Sequence, residues 1–387
     1  MRAWAGPDAQ VADSTPVVRR PAAGKAGNRR RVLESLGNWL HVVPAWLRVA
    51  TAAIVVGAIA VSLAIGAKPH SPVRRFEGPD RYSTAAQVAV NTFTHADIAV
   101  LARGDDLADA ISGSYLAGAQ GGGPILLTPQ QNLPAVVLSA LERLKVKQVF
   151  IIGDATAIDG AVDVTLQRHG MRTTRLAGAS RYATAGVIEQ AGGPAASVAG
   201  FGPTAVLVSS TDLPDAVAAG PISFHSRFPL LYTTATTIPA ETVSAMQEGG
   251  ITHVVLVGSS DDIGDSVVAQ LAGLKISSQR VAGAGDPASK SIAIANFEQQ
   301  VLHWSLPQVD LVRGDQGAVD GVATIANSGT NAAALLLTNS PNHLGAPLTA
   351  FLARQVGRVQ QLIVVGDATT ITPSTEQAAA AALRLRQ

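Results

Sequence analysis

The residues with the clearest chemical potential are an arginine–tyrosine pair that occurs twice. Arg81-Tyr82 and Arg181-Tyr182 lie about one hundred residues apart, each inside the longer motif R-x-x-G-x-x-R-Y-x-T-A. Arginine offers a planar fork of donors to a carboxylate or phosphate, and tyrosine offers a face for sugar stacking together with a hydroxyl. An arginine at a helix start can equally pair with a nearby aspartate, so the sequence leaves both roles open.

Three aspartates recur at corresponding points of the chain, where an acidic turn leads into a helix of small residues. They are Asp109, Asp215 and Asp320. A carboxylate at a helix start stabilises the helix by roughly 0.3–1 kcal/mol, and contact with a ligand or with the arginine of the same repeat is the alternative. Glycoside hydrolysis by a carboxylate pair such as Asp105 and Asp109 is disfavoured, because Thr211 replaces the first acid in the second copy.

Another arginine opens each copy, at Arg75, Arg175 and Arg280. The third copy then continues as Asp286-Pro-Ala-Ser-Lys290 without Arg-Tyr. We therefore predict that any ligand contact of this stretch is lost. The predicted ligand-binding residues are Arg75, Arg81, Tyr82, Asp109, Arg175, Arg181, Tyr182, Asp215 and Asp320. The sequence contains no cysteine, no H-E-x-x-H and no G-x-S-x-G, so we predict no catalytic residue, no metal site, no cofactor and no enzyme activity.

The elements around these residues follow one order in every copy. Apolar strands alternate with helices, and the last strand of each copy ends in a glycine that we expect in a tight turn: Gly153, Gly258 and Gly366. Strands that are apolar throughout must be covered on both faces, which favours a parallel sheet with right-handed crossovers. The sequence thus predicts three tandem three-layer α/β units, with repeat 1 at 75–174, repeat 2 at 175–279 and repeat 3 at 280–387.

The segment before the repeats is basic and then apolar. The first 48 residues contain eight Lys and Arg against three acidic residues, and positions 49–67 then carry no charge. We expect a largely disordered cytoplasmic segment at 1–46 with a short interfacial helix, and a transmembrane helix at 47–67. Either this helix anchors a single-pass membrane protein with its repeats outside the cell, or it is a cleaved export signal and the protein is secreted and wall-associated.

The charge of the repeats bears on their partners. The whole chain has a net charge of +1, so the basic lead leaves the remainder with a small acidic excess. Nucleic acid binding requires a basic footprint. We therefore predict no nucleic acid partner.

Together, the R-x-x-G-x-x-R-Y-x-T-A motif, the acidic turn, the P-[IL]-L-[LY]-T strand and the strand ending in glycine resemble the cell wall-binding repeat family, type two. The resemblance covers roughly residues 75–385, with the third copy degenerate at its opening motif. It implies Rossmann-like or Toprim-like units in a pseudo-threefold arrangement, in Gram-positive surface proteins that bind an anionic glycan or teichoic-acid-like wall polymer.

The resemblance also links polymer contact to the P-[IL]-L-[LY]-T segments, whereas their apolar character predicts buried strands. A scaffold that holds envelope proteins, with polymer binding lost, remains the alternative function. An envelope protein is then the partner to expect.

Overall fold

The structure is a computed structural model, and it describes residues 71–283, 285–314 and 319–386. Within these residues twelve strands alternate with twelve helices. The strands are β1 (Val73–Phe76), β2 (Ile98–Arg103), β3 (Ile125–Thr128), β4 (Gln148–Ile152), β5 (Arg172–Leu176), β6 (Thr204–Ser209), β7 (Leu230–Thr233), β8 (His253–Val257), β9 (Ser277–Val281), β10 (Gln308–Arg313), β11 (Ala334–Thr338) and β12 (Gln361–Val365).

The helices fill the intervals between the strands, as expected for parallel crossovers. They are α1 (Arg81–Thr92), α2 (Ala108–Ala119), α3 (Ala135–Arg143), α4 (Gly160–Arg168), α5 (Arg181–Gly192), α6 (Leu213–Ser226), α7 (Ala240–Glu248), α8 (Asp265–Gly273), α9 (Pro287–Gln300), α10 (Val319–Thr330), α11 (Ala346–Arg354) and α12 (Pro373–Leu383). In the described part of the chain, no helix combines the length and apolar character needed to cross a membrane. The segments predicted at 1–46 and 47–67 lie outside the described residues.

The strands form three separate four-stranded sheets, and every pairing is parallel. The strand orders are β3-β2-β4-β5, β7-β6-β8-β9 and β1-β12-β10-β11. The predicted α/β architecture with parallel sheets is therefore confirmed. The apolar strands β3, β7 and β11, which carry the P-[IL]-L-[LY]-T motif, are buried along their whole length, as their composition predicted.

The sheets are offset from the sequence repeats by one strand. The strand that opens repeat 2, with Arg175, pairs with β4 of repeat 1, and the strand with Arg280 pairs with β8 of repeat 2. The strand with Arg75 closes the third sheet, where Arg75 lies opposite Val364 of β12. Each sheet is thus completed by the next copy in a closed cycle, and residues 71–387 form one compact unit.

The three central helices α2, α6 and α10 pack against one another, as the predicted pseudo-threefold arrangement requires. Small residues allow this close approach: a Cβ on Gly118 would lie 2.0 Å from the carbonyl oxygen of Phe224, and a Cβ on Gly220 would lie 2.5 Å from Ile325. The core between the sheets and these helices consists mainly of buried aliphatic side chains, with the aromatic rings of Tyr115, Tyr232 and Phe351 as its largest fully buried members. The sequence-derived expectation of small-residue helices thus has a packing reason.

The start of each copy explains its glycine. Asp80, Ser180 and Asp286 cap α1, α5 and α9 by accepting a hydrogen bond from the amide three residues later. The preceding R-x-x-G glycine lies so close to this first turn that a Cβ on Gly178 would be 2.4 Å from Ala183. Only glycine fits there, so packing accounts for the glycine of the R-x-x-G motif without any ligand.

Candidate functional site

The candidate sites lie where the strand order of each sheet reverses. In the first sheet this point lies between the carboxyl ends of β2 and β4, and the corresponding pairs are β6 and β8, and β10 and β12. In open α/β sheets, ligands bind in the crevice at such a point. The glycines that end β4, β8 and β12 have φ of 108°, 139° and 111°, so the tight turns predicted there are confirmed.

The three recurring aspartates Asp109, Asp215 and Asp320 lie in the first turns of α2, α6 and α10, facing these turns. A Cβ on the glycine opposite would lie 3.5 Å from the Asp109 and Asp215 carboxylates and 2.8 Å from that of Asp320. Burial and the charge of Asp106 raise the pKa of Asp109 to about 6. Burial and the charge of Asp367 raise the pKa of Asp320. These carboxylates are therefore held in a partly desolvated position at the crevice.

Arg75, Arg175 and Arg280, which open the copies, clamp the turn after the neighbouring strand. Arg175 Nη1 donates to the carbonyls of Gly153 at 2.9 Å and Asp154 at 2.8 Å, and Arg280 Nη1 does the same to Gly258 and Ser259 at 3.0 Å. Arg75 Nη1 donates to the carbonyls of Gly366 and Asp367 at 2.7 and 3.1 Å. The three guanidinium groups therefore fix the turns that follow β4, β8 and β12.

The arginines of the Arg-Tyr pairs face residues of two copies, whereas each tyrosine contacts its own copy. Arg181 Nη1 donates to the Ser210 carbonyl of its own copy at 2.9 Å, and its Nη2 lies 3.7 Å from Asp106 of the first copy. The Tyr182 hydroxyl lies 3.0 Å from the Ser210 hydroxyl, so here the tyrosine holds the strand end. Arg181 also lowers the pKa of Asp109, although burial outweighs it.

The same arrangement recurs between the third and first copies. Arg81 donates to the carbonyl of Gly104 in its own copy, and Tyr82 packs against that glycine. Arg81 also lines a cavity of about 220 Å³ with Arg313, Val319, Asp320 and Thr370 of the third copy. We name the two crevices the 1–2 junction, which contains Arg181 and Asp109, and the 3–1 junction, which contains Arg81 and Asp320.

The remaining crevice, which we name the 2–3 junction, contains Lys290 instead of an arginine. Its Nζ pairs with Asp212 and lies 3.3 Å from Asp215 and 3.1 Å from Asp262. Oxygens of these three carboxylates lie within 4.8 Å of one another, a spacing that could hold a metal ion, but the ammonium group already lies among them. The 2–3 junction is therefore an internal ion cluster.

Burial and the neighbouring charges shift the pKa values of Asp215, Asp262 and Lys290 in this cluster. Burial and the charge of Asp212 raise the pKa of Asp215 to about 7. Burial acts in the same direction on Asp262, but hydrogen bonds from Ser259 and the contact with Lys290 outweigh it and lower the pKa of Asp262. Burial opposes charge on Lys290, yet its contacts with the carboxylates raise its pKa.

Sequence reasoning identified the aspartates and the Arg-Tyr pairs but missed three contributors to the junctions. Arg103 and Arg313 end β2 and β10 at corresponding positions, and Lys290 lies on a helix face that was read only as lacking Arg-Tyr. Aligning the copies position by position would have revealed Lys290, because it stands where the other copies have Thr84 and Thr184.

Comparison with known proteins identifies relatives of the chain. It is 29% identical over 270 residues to N-acetylmuramoyl-L-alanine amidase LytC of Bacillus subtilis (strain 168), covering 70% of this chain and 51% of LytC. It is 26% identical over 197 residues to the amidase enhancer of the same organism, covering 51% of this chain and 26% of that protein. The chain thus spans about half of one curated relative and about a quarter of the other.

Solved structures and a family model agree with the fold. Cwp6 from Clostridium difficile superposes with a TM-score of 0.70 at 19% identity over 81% of this chain and 48% of Cwp6. Cwp8 from the same organism gives 0.68 at 18% identity over 82% of this chain and 53% of Cwp8. The model of cell wall binding domain 2 matches residues 75–163 and 175–268, which confirms the resemblance seen in the sequence. Residues 75–163 and 175–268 are therefore identified as two tandem repeats of cell wall binding domain 2.

Proposed function

We propose that this chain is a non-catalytic envelope protein that binds a cell-wall polymer at the junctions between its repeats. The match of two repeats to a cell wall binding domain supports the polymer as the partner. The structural observation that carries the proposal is the cavity at the 3–1 junction, which is lined by Arg81 of copy one together with Arg313 and Asp320 of copy three.

The chemistry of this cavity suits a polymer that carries both hydroxyl and anionic groups. Guanidinium groups donate in a fixed plane to phosphate or carboxylate, and a carboxylate such as Asp320 can accept from a sugar hydroxyl. Because equivalent junctions repeat around the unit, a long polymer can contact more than one of them. Weak sites then act together by effective concentration.

The absence of catalysis is part of the proposal. Besides burial, nearby carboxylates raise the pKa of each central aspartate: Asp106 and Asp154 act on Asp109, Asp212 and Asp262 on Asp215, and Asp367 on Asp320. These neighbours differ between the copies, because copy two has Ser259 where copies one and three have Asp154 and Asp367. A carboxylate pair for acid–base hydrolysis is therefore not repeated in all three copies. The similarity to the amidase LytC covers only about half of that protein, so its activity does not transfer.

We propose further that the repeats are exported and held at the cytoplasmic membrane by the apolar segment at 47–67. The basic residues before this segment and its uncharged length in the sequence support this arrangement. The mass of the mature protein from a membrane fraction tests it. A mass that corresponds to a protein beginning after residue 67 would show that the segment is a cleaved signal and not an anchor.

Retention on purified Gram-positive cell walls tests polymer binding. Residues 71–387 suit the assay, because all twelve described strands find their partners within this unit. We expect retention on intact walls at low salt, and its loss on walls treated with hydrofluoric acid, which cleaves phosphodiester-linked polymers. No retention on intact walls would overturn the proposal.

A scaffold for envelope proteins is the second candidate function, and the similarity to an amidase enhancer favours it. The two functions differ in their need for the junction arginines. If wall retention survives replacement of Arg81 and Arg181 by alanine, the scaffold is favoured. If retention falls, polymer binding at the junctions is supported.

A further inference from the structure

We propose that two of the three junctions take the wall polymer, and that Lys290 permanently fills the third as a built-in cation. This inference rests on the proposed function and adds the number, place and chemistry of its sites. The 1–2 and 3–1 junctions are the open ones, and the 2–3 junction is the closed one.

Several corresponding positions differ together at the 2–3 junction. The strand-end arginine is Arg103 in copy one and Arg313 in copy three, but Ser209 in copy two. The helix-start arginine, Arg81 or Arg181 in the other junctions, is Pro287 here. Both cationic ligand contacts are thus missing from one junction alone.

The opposite changes have occurred at two further positions of the same junction. Lys290 lies where Thr84 and Thr184 lie in the other copies, one helical turn after the missing arginine. Asp262 follows its strand-ending glycine by four residues, where copies one and three have Ala157 and Thr370. The 2–3 junction therefore has a cation and an anion in contact at 3.1 Å, and it lacks the two arginines of the other junctions.

Burial decides which of these ion pairs a ligand can replace. Asp105 and Asp106, which pair with Arg103 and Arg181 at the 1–2 junction, are 58% and 57% exposed. Exposed ion pairs contribute little to stability, so a ligand anion can take the place of either carboxylate at little cost. Lys290 is 8% exposed and Asp215 2%, and separating a buried pair leaves uncompensated charge. The 2–3 junction therefore stays closed to ligand.

The open junctions define the ligand unit they accept. Each combines two arginines from neighbouring copies with one partly buried aspartate: Arg103 and Arg181 lie near Asp109, and Arg81 and Arg313 line the cavity of Asp320. The arginines suit one phosphate or carboxylate group, and the aspartate suits an adjacent hydroxyl. We infer a polyol or glycan segment that presents an anionic group beside a free hydroxyl.

Wall-binding isotherms of single-site variants test the number of sites. The variants are Arg81→Ala for the 3–1 junction, Arg181→Ala for the 1–2 junction, their combination, and Asp262→Asn as the matched control in the closed junction. Each single arginine variant can no longer bind the polymer at both open junctions at once, so it should bind intact walls at least about tenfold more weakly. Asp262→Asn should stay within about twofold of the parent. The double arginine variant should not be retained, and thermal unfolding shows that every variant is folded.

The outcomes separate this inference from the proposed function. If the parent is retained but Asp262→Asn weakens binding as much as an arginine variant, the 2–3 junction is open and the inference is overturned. If the double arginine variant is retained like the parent, the junctions are not the sites and the inference also fails. Failure of the parent itself to bind overturns the proposed function instead.

Discussion

We predict that the buried ammonium group of Lys290 contributes strongly to the stability of the unit. It lies 8% exposed among three carboxylates, of which Asp215 is 2% exposed. In Lys290→Met the apolar stem is kept and the charge is removed, so the carboxylates lose their counter-ion. Breaking a buried pair in this way costs about 3–5 kcal/mol of unfolding free energy.

The loss should depend on pH with a definite sign. Burial and the charge of Asp212 raise the pKa of Asp215 from 3.8 to about 7, while Lys290 opposes them. A carboxyl whose pKa is raised by folding stabilises the fold fully below its unfolded pKa, and that contribution is lost as the pH rises through the folded pKa. Without Lys290 this pKa moves further upward, so the variant should lose more stability at about pH 8 than at about pH 5.

Chemical unfolding of the variant and the parent at both pH values measures this effect. Lys147→Met is the matched control, because Lys147 pairs with Asp97 at 2.8 Å with both side chains more than half exposed, and it should cost no more than about 1 kcal/mol. Adding Asp215→Asn to Lys290→Met should recover part of the loss. An equal loss at the two pH values, or a loss no larger than that of the control, would refute the reasoning.

Three further changes test the packing of the unit. Deleting residues 71–77 removes the strand that pairs with β12, so amide hydrogens of the third sheet should exchange faster while those of the second sheet keep their protection. Gly118→Ala brings a Cβ within 2.0 Å of the Phe224 carbonyl oxygen and should lower the unfolding free energy by about 1–3 kcal/mol, whereas Gly273→Ala, which meets open space, should not. Tyr232→Phe removes a buried hydroxyl that donates to the first residue of α2 at 2.7 Å, and thermal unfolding should show a loss of about 1 kcal/mol or more.

Much of the fold could be predicted from the order of apolar runs, because parallel strands buried on both faces carry a strong local signal. The pairing of each opening strand with the sheet of another copy could not be predicted. Arg75 and Arg175 open their copies in the sequence, yet their strands pair with β12 and β4 of the preceding sheets. Pairing between strands far apart in the chain depends on tertiary packing, which no local pattern encodes.

The site shows the same limit. Asp109 and Asp320 were recognisable as recurring acids at helix starts, but their arginine neighbours come from the next copy and appear only when the copies are in contact. The third copy was expected to have lost its contact, and Lys290 shows that the cationic contact at the 2–3 junction was replaced. Because Lys290 lies one helical turn after the position of the missing arginine, the third copy lacks the Arg-Tyr motif although a cation still occupies its junction.

The cyclic exchange of opening strands also has a consequence for how such proteins can change in evolution. An open solenoid can gain or lose a module at either end, because each module contacts only its neighbours. Here the first strand closes the last sheet, so a chain with a duplicated module would keep every strand paired only if its first strand still reached its last sheet. A change in copy number therefore has to preserve the closed cycle, whereas the residues of one junction can differ while the other two junctions keep theirs.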